Sequence, residues 1–312
     1  MTKDKNNIQR MLKDNRVVLI LAMISCFLWG SAFPSIKKGY ELFNISNSDT
    51  YGQILFAGLR FTLSGIMVFI VCLIFKYSVK IKKNQLLLLV SLGILQTTLQ
   101  YYFFYIGLSN ISGSTGSILS SLGTFFSVIF APVFFKEDKF TLKKAIGIII
   151  GFLGIFILNY DGIVSHTFSF RGEGFIIISS ILSALANIYT KKLTKINISS
   201  FAISAYQLFI GGIILTNIGF ILSKGKIINF TPESTILLIY MGFISAAAFS
   251  IWTVLLKHND VSVVSINKFT IPLFGTFLSF IFLNERNINA NVVIAVAFVT
   301  FGIFIVNTRQ RY

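Results

Sequence analysis

Two cations stand inside otherwise uncharged apolar stretches, Arg60 within 53–75 and Lys268 within 262–284. All 11 acidic residues lie elsewhere, in connections or at the ends of apolar stretches. An ionised side chain in hydrocarbon costs several kcal/mol unless it is paired or hydrated. Each cation sits about two turns from one end of its stretch, so it either snorkels to the interface or faces a wet cavity. The sequence leaves both readings open. In a low-dielectric cavity a fixed cation attracts a carboxylate or phosphate and repels another cation by a similar amount. An exporter of cationic drugs is expected to use an embedded carboxylate, and none is present. The sign points to a small ligand with an anionic group, and the aromatic and amide residues nearby favour a zwitterion.

Other polar and aromatic residues sit well inside the apolar stretches, among them Gln96, Gln100, Tyr101, Tyr105, Asn187, Tyr189, Gln207 and Trp252. Matching Gly65 with Gly212 aligns Gln207 with Arg60. Prolines mark two further segments. Pro272 lacks the N–H that would bond the Lys268 carbonyl, and Pro34 does the same to Gly30. Broken helices are tolerated in membranes where freed carbonyls line a cavity or meet protein partners. Binding candidates are therefore Trp29, Ser31, Arg60, Gln96, Tyr101, Asn187, Gln207, Trp252, Asn267 and Lys268, with Gly30, Pro34 and Pro272 as hinge candidates. Interhelical hydrogen bonding, an interfacial belt position for Trp252 and simple packing kinks are the alternatives.

No catalytic, phosphate-cradling or metal-ligating motif accompanies these residues. Cys26 and Cys72 lie in apolar runs without ligand or disulfide spacing, and His166 and His258 lie in connections. No metal and no cofactor is expected. The connections are too short for a nucleotide-binding domain, so any transport must draw on an ion or substrate gradient.

The elements that hold such residues are membrane spans. Hydrophobic residues make up 54% of the 312 and charged residues 12%. Soluble domains carry roughly 25% charged residues, so this chain cannot coat a water-soluble globule. A span needs about 20 residues. Residues 17–36 are uncharged, and 84–135 hold no charge over 52 positions, enough for two spans joined at 109–113. With 53–75, 145–160, 174–190, 201–222, 235–256, 262–284 and 287–308 the count is ten. If the N-terminal tail is inside, 19 Lys and Arg fall in inside segments and 6 in outside ones. Positive residues favour the cytoplasmic side. Both termini are expected there, in a cytoplasmic membrane. The net charge of +16 lies in short runs between spans, which suits anionic headgroups rather than nucleic acid.

The chain also repeats. At a shift of 148 residues, 114–159 matches 262–307 at 12 of 46 positions, including Glu137 with Glu285, Asn159 with Asn307, and the GIFI runs at 154–157 and 302–305. Shared apolar content does not produce matching Glu and Asn. Each half holds five spans, and five is odd, so the second half enters inverted. The expected fold is an all-α membrane protein, ten transmembrane helices built as two inverted five-helix repeats at 17–160 and 174–308. A basic tail at 1–16, a connecting loop at 161–173 and a tail at 309–312 complete it. Inverted repeats recur in secondary transporters, with the ligand held at the repeat interface. The stripe Gly147, Gly151 and Gly154 lets another helix approach closely. Packing within the monomer is favoured over a homodimer face, so the expected state is a monomer or weak homodimer.

The segment Phe27-Leu28-Trp29-Gly30-Ser31-Ala32-Phe33-Pro34, the segment Phe56-Ala57-Gly58-Leu59-Arg60-Phe61 and the twin tails of Glu followed by GIFI(L/V)N resemble the EamA type of the drug/metabolite transporter superfamily. The resemblance covers 17–308. It implies a ten-helix secondary transporter, often an exporter of amino acids or other metabolites, and leaves the substrate open. The rivals are a non-transporting membrane sensor and a cationic-drug exporter. An intramembrane enzyme lacks its nucleophile and ligands.

Overall fold

The computed structural model describes residues 9–46, 48–111, 113–158, 168–196, 198–223, 228–283 and 290–307. Asn159, Glu285, the tail at 309–312 and most of the 161–173 connection lie outside them. The described chain is helical and, among these residues, has no strand. In order the helices are α1 (Asn15–Leu42), α2 (Thr50–Ile74), α3 (Lys83–Ser109), α4 (Gly113–Phe134), α5 (Leu142–Leu158), α6 (Phe170–Thr194), α7 (Ser200–Leu222), α8 (Pro232–His258), α9 (261–283) and α10 (Ala290–Asn307). Among the described residues, α1, α2, α3, α6, α7 and α8 are each long and apolar enough to cross a membrane. Leu73, Leu87, Val133, Ile221, Phe282 and Phe304 stand exposed on the outside. Such an apolar surface suits lipid and not water. The protein is a multi-pass membrane protein.

Several acidic residues act as helix caps. Asp14 accepts from the Arg16 N–H at α1, and Asp49 accepts from the Gly52 N–H at α2. At α8, Thr231 and Ser234 cap each other reciprocally, with Pro232 in the first turn.

Small residues decide which helices meet. Helices α2 and α7 cross antiparallel, with Gly219 against Leu55, Gly58 against Thr216, Gly212 against Thr62 and Gly65 against Phe209. A methyl group at any of these four glycines would collide with the facing backbone. The Gly147 stripe packs inside the chain: Gly147 meets Gly302 and Val306, and Gly154 meets Ala295 and Phe298 on α10. Gly30 brings α1 onto α9, where an added Cβ would lie 2.6 Å from the Phe274 Cβ. Gly30 thus serves close approach, a role the hinge reading did not include. Helices α4 and α6 form the other large helix pair.

Among the described residues three helices change winding, α6 only in its opening π-helical turn Phe170–Gly174. In α9, Ile266–Phe269 is a 3-10 stretch just ahead of Pro272, and the Thr270 N–H turns to the Asn267 and Lys268 carbonyls. The proline signal is therefore visible there. In α1 the helix continues through Pro34 without a change of type. Its freed Gly30 carbonyl lies close to Gly275 of α9. In α3, Gly93–Leu99 is π-helical, with Gly93 against the Gln207 carbonyl and Gly211 of α7. No proline marks that stretch.

Candidate functional site

A cavity of about 140 Å³ lies among α1, α2, α3, α4, α6, α8 and α9. Its lining residues fall near the middle of their helices, and the described residues of α5, α7 and α10 contribute none. Of the sequence candidates, Trp29, Arg60, Gln96, Tyr101, Lys268 and Pro272 line it. Both embedded cations thus reach one cavity.

Arg60 is 2% exposed, so it does not snorkel. Its Nε donates to Ser245 Oγ of α8 at 2.9 Å and its Nη1 to Tyr105 Oη of α3 at 3.3 Å. The guanidinium carbon lies 5.0 Å from the Phe61 ring centroid. Among the described residues no carboxylate pairs with it.

Lys268 sits in the 3-10 stretch with its Nζ over two indoles, 5.3 Å from the Trp29 ring centroid and 4.9 Å from that of Trp252. The rings contact each other edge-on at 5.1 Å. Among the described residues the ammonium has no hydrogen bond and no ion pair. A Lys within a span costs about 2.5–3.5 kcal/mol on insertion scales. A desolvated cation–π contact returns about 2 kcal/mol. Two indoles therefore hold the charge without a counter-ion, and its anion-binding capacity stays unspent.

Hydroxyl and amide groups share the rest of the lining with apolar side chains such as Phe33, Phe104, Phe249 and Ile271. Gln96 Oε1 accepts from Thr190 Oγ1 at 3.2 Å, whereas the buried Gln100 Oε1 and Trp29 Nε1 have no partner among the described residues. Helix α4 offers Ser120, Ser121 and Thr124, and α6 offers Ser179, Ser180 and Ser183. Sequence reasoning missed these six. Ser120 donates to the Gly116 carbonyl, Ser180 to the Leu119 carbonyl and Ser179 to the Gln100 carbonyl. Serines satisfied by backbone in this way are ordinary in spans, so composition gives no signal.

The remaining candidates lie off the cavity. Ser31 donates to the Leu28 carbonyl and accepts from Tyr240 Oη. Asn187 accepts from Trp252 Nε1 at 3.2 Å, which fixes the ring under Lys268. Trp252 is 1% exposed, so it is not a belt residue. Asn267 Nδ2 binds the Val263 and Val264 carbonyls, which stabilises the start of the 3-10 stretch. Gln207 is buried away from the cavity, and among the described residues its side-chain amide has no partner.

A second polar group lies at the end of the bundle that holds Leu12. Asp138, fully buried, accepts from Lys144 Nζ and from the Ser262 N–H. Lys191 of α6 pairs with Asp260 at 3.7 Å and donates to the Asn259 carbonyl. Asn259 Nδ2 reaches the Leu12 carbonyl, and Lys195 pairs with Glu137 at 2.6 Å. The Lys195 hydrogen bond lowers the Glu137 pKa, and burial raises that of Asp260.

Comparison with known proteins agrees with this frame. A solved crystal structure superposes with a TM-score of 0.76, covering 93% of this chain and 96% of its own, at 14% identity. The chain is 28% identical over 303 residues to the uncharacterized transporter YvbV of Bacillus subtilis, spanning 97% of this chain and 95% of that protein. It is 22% identical over 299 residues to an S-adenosylmethionine/S-adenosylhomocysteine transporter of Chlamydia muridarum, spanning 92% and 90%. The model of the EamA-like transporter family matches twice, over residues 16–160 and 170–308. A membrane-embedded helical bundle whose central cavity holds two cationic side chains, matched along nearly its whole length by transporters rather than enzymes, belongs to the EamA-like transporter family.

Proposed function

We propose that this transporter is a secondary carrier, an exporter of amino acids or other small metabolites that bear a carboxylate. The carrying observation is the pair Arg60 and Lys268, which line one cavity and, among the described residues, have no acidic partner. An arriving carboxylate supplies the missing charge. The unpartnered Gln100 Oε1 can accept from an ammonium group, which suits a zwitterion. S-adenosylmethionine and S-adenosylhomocysteine, both named for the Chlamydia muridarum relative, each carry an amino-acid carboxylate, and the first carries a sulfonium cation as well.

The carrier works by alternating access between two inverted five-helix halves, 17–160 and 174–308, in the cytoplasmic membrane with both termini inside. Helix pairing supports this reading. If α1 corresponds to α6 and α4 to α9, the pair α1–α9 has its counterpart in α6–α4. The pairs α2–α7 and α5–α10 are their own counterparts. Single-cysteine labelling tests orientation: position 78 should resist an impermeant reagent added outside.

A thermal-shift screen of the purified protein against amino acids, small carboxylates and quaternary ammonium compounds tests the ligand class. Ligands stabilise by mass action, by about 2.7 kcal/mol at a hundred times Kd. The reading expects hits among carboxylates. Hits confined to quaternary ammonium compounds overturn it.

A further inference from the structure

We propose that Lys268 is also the proton-carrying group of the transport cycle, so that one proton travels with each carboxylate in the same direction. This rests on the carboxylate reading above. Its basis is the environment of the Lys268 amine. The ammonium is held by two indole faces and, among the described residues, by no hydrogen bond or ion pair. An amine so placed gains its strongest partner only when the substrate arrives, which ties its protonation to occupancy of the site.

Among the described residues the groups facing Lys268 offer no competing carrier. From α1 come Trp29 and Cys26, whose Sγ donates to the Asn267 carbonyl at 3.3 Å. From α2 comes Arg60, and guanidinium groups keep their charge in proteins. From α3 comes the phenol Tyr101, whereas α4 and α6 present only hydroxyls at the cavity. Helix α5 meets the 3-10 stretch at Gly151, against Phe269, and at Gly147, against Ile266; Lys144 in its first turn is held by Asp138. Helix α8 presents Trp252, with Lys257 and His258 in its last turn, and the described residues of α10 carry no titratable side chain. Arg60 and Lys268 therefore divide the work: a permanent charge that binds and an exchangeable one that couples.

The step balances simply. Cavity water delivers a proton to the Lys268 amine, giving an ammonium, and a carboxylate binds beside it. After the cavity reopens on the other side the carboxylate leaves, and the ammonium returns its proton to water there. A metabolite moving down its own gradient takes a proton along.

The protein carries its own reporter, because its 2 tryptophans are the two under Lys268. Tryptophan emission of the full chain in nanodiscs should show a reversible step with pH, centred near the operating pH as proton transfer requires. The step should vanish in both Lys268→Met and Lys268→Arg, persist in Cys26→Ser and Tyr101→Phe, and move to higher pH when a stabilising carboxylate saturates the site. Flat wild-type emission, or a step that survives in both Lys268 variants, overturns the proposal. Flat emission with carboxylates still bound leaves the anion reading standing. A step that no carboxylate of the screen moves, together with no carboxylate hit, overturns both.

Discussion

The cations of this protein fall into two kinds. At the end of the bundle near Leu12, Lys144, Lys191 and Lys195 each have a carboxylate within the chain: Asp138, Asp260 and Glu137. In the cavity, Arg60 and Lys268 have hydroxyls and aromatic faces instead. The difference is one of purpose. A cation that braces helices brings its counter-ion with it, because removing one partner of a buried pair is strongly destabilising. A cation that must meet an outside anion cannot carry a carboxylate partner of its own chain.

The largest effect should come from the cavity. Lys268→Met keeps much of the apolar stem and removes the charge. A hydrogen bond to a charged group contributes about 1.5–3 kcal/mol, so carboxylate transport should fall roughly 10- to 100-fold. The melting temperature should hold, because no carboxylate is left unpaired. Normal transport by this variant would erase the distinction between the two kinds of cation.

Next comes Asp138→Asn at the braced end. It leaves the Lys144 ammonium poorly compensated and weakens the contact to the Ser262 N–H. The expected cost is about 3 kcal/mol of stability, read as a lowered melting temperature with carboxylate affinity unchanged in the folded fraction. Weakened affinity at full stability would put Asp138 in the binding machinery instead.

Pro272→Ala should act more mildly. It supplies an N–H next to the 3-10 stretch, worth about 1 kcal/mol. Transport should drop a few-fold while stability holds or rises. Lower stability with unchanged transport per molecule would make the kink a packing feature only.

Glu137→Gln should change least. Both partners of the Glu137–Lys195 pair are about half exposed, and exposed pairs contribute little. The sign is still defined. A lowered folded pKa gives stability that is present above the unfolded pKa and lost as pH falls through the folded one. The small difference between wild type and variant should therefore disappear in acid, as melting curves across pH would read.

Sequence and structure agree where a residue breaks a rule of its surroundings. An Arg and a Lys in hydrocarbon, with every acid elsewhere, are legible because the cost of burying a charge makes them conspicuous. Pro272 is legible for the same reason, and a 3-10 stretch lies beside it. Pro34 carries the same signal, yet α1 runs through it without a change of helix type. The π-helical stretch at Gly93–Leu99 and the six cavity hydroxyls obey the rules of ordinary spans, so only packing reveals them. Gln207 errs the other way. It is polar at the repeat position of Arg60, yet it lies off the cavity.

The central claim is that the cavity cations await an anion from outside. Counterflow in proteoliposomes tests it most directly: vesicles preloaded with unlabelled compound, challenged with the same compound radiolabelled, across amino acids, small carboxylates and a quaternary ammonium drug. The account predicts transient accumulation of at least one carboxylate-bearing label, reduced at least tenfold by Lys268→Met, and none of the quaternary ammonium label. Accumulation of the quaternary ammonium compound with no carboxylate moved would contradict it.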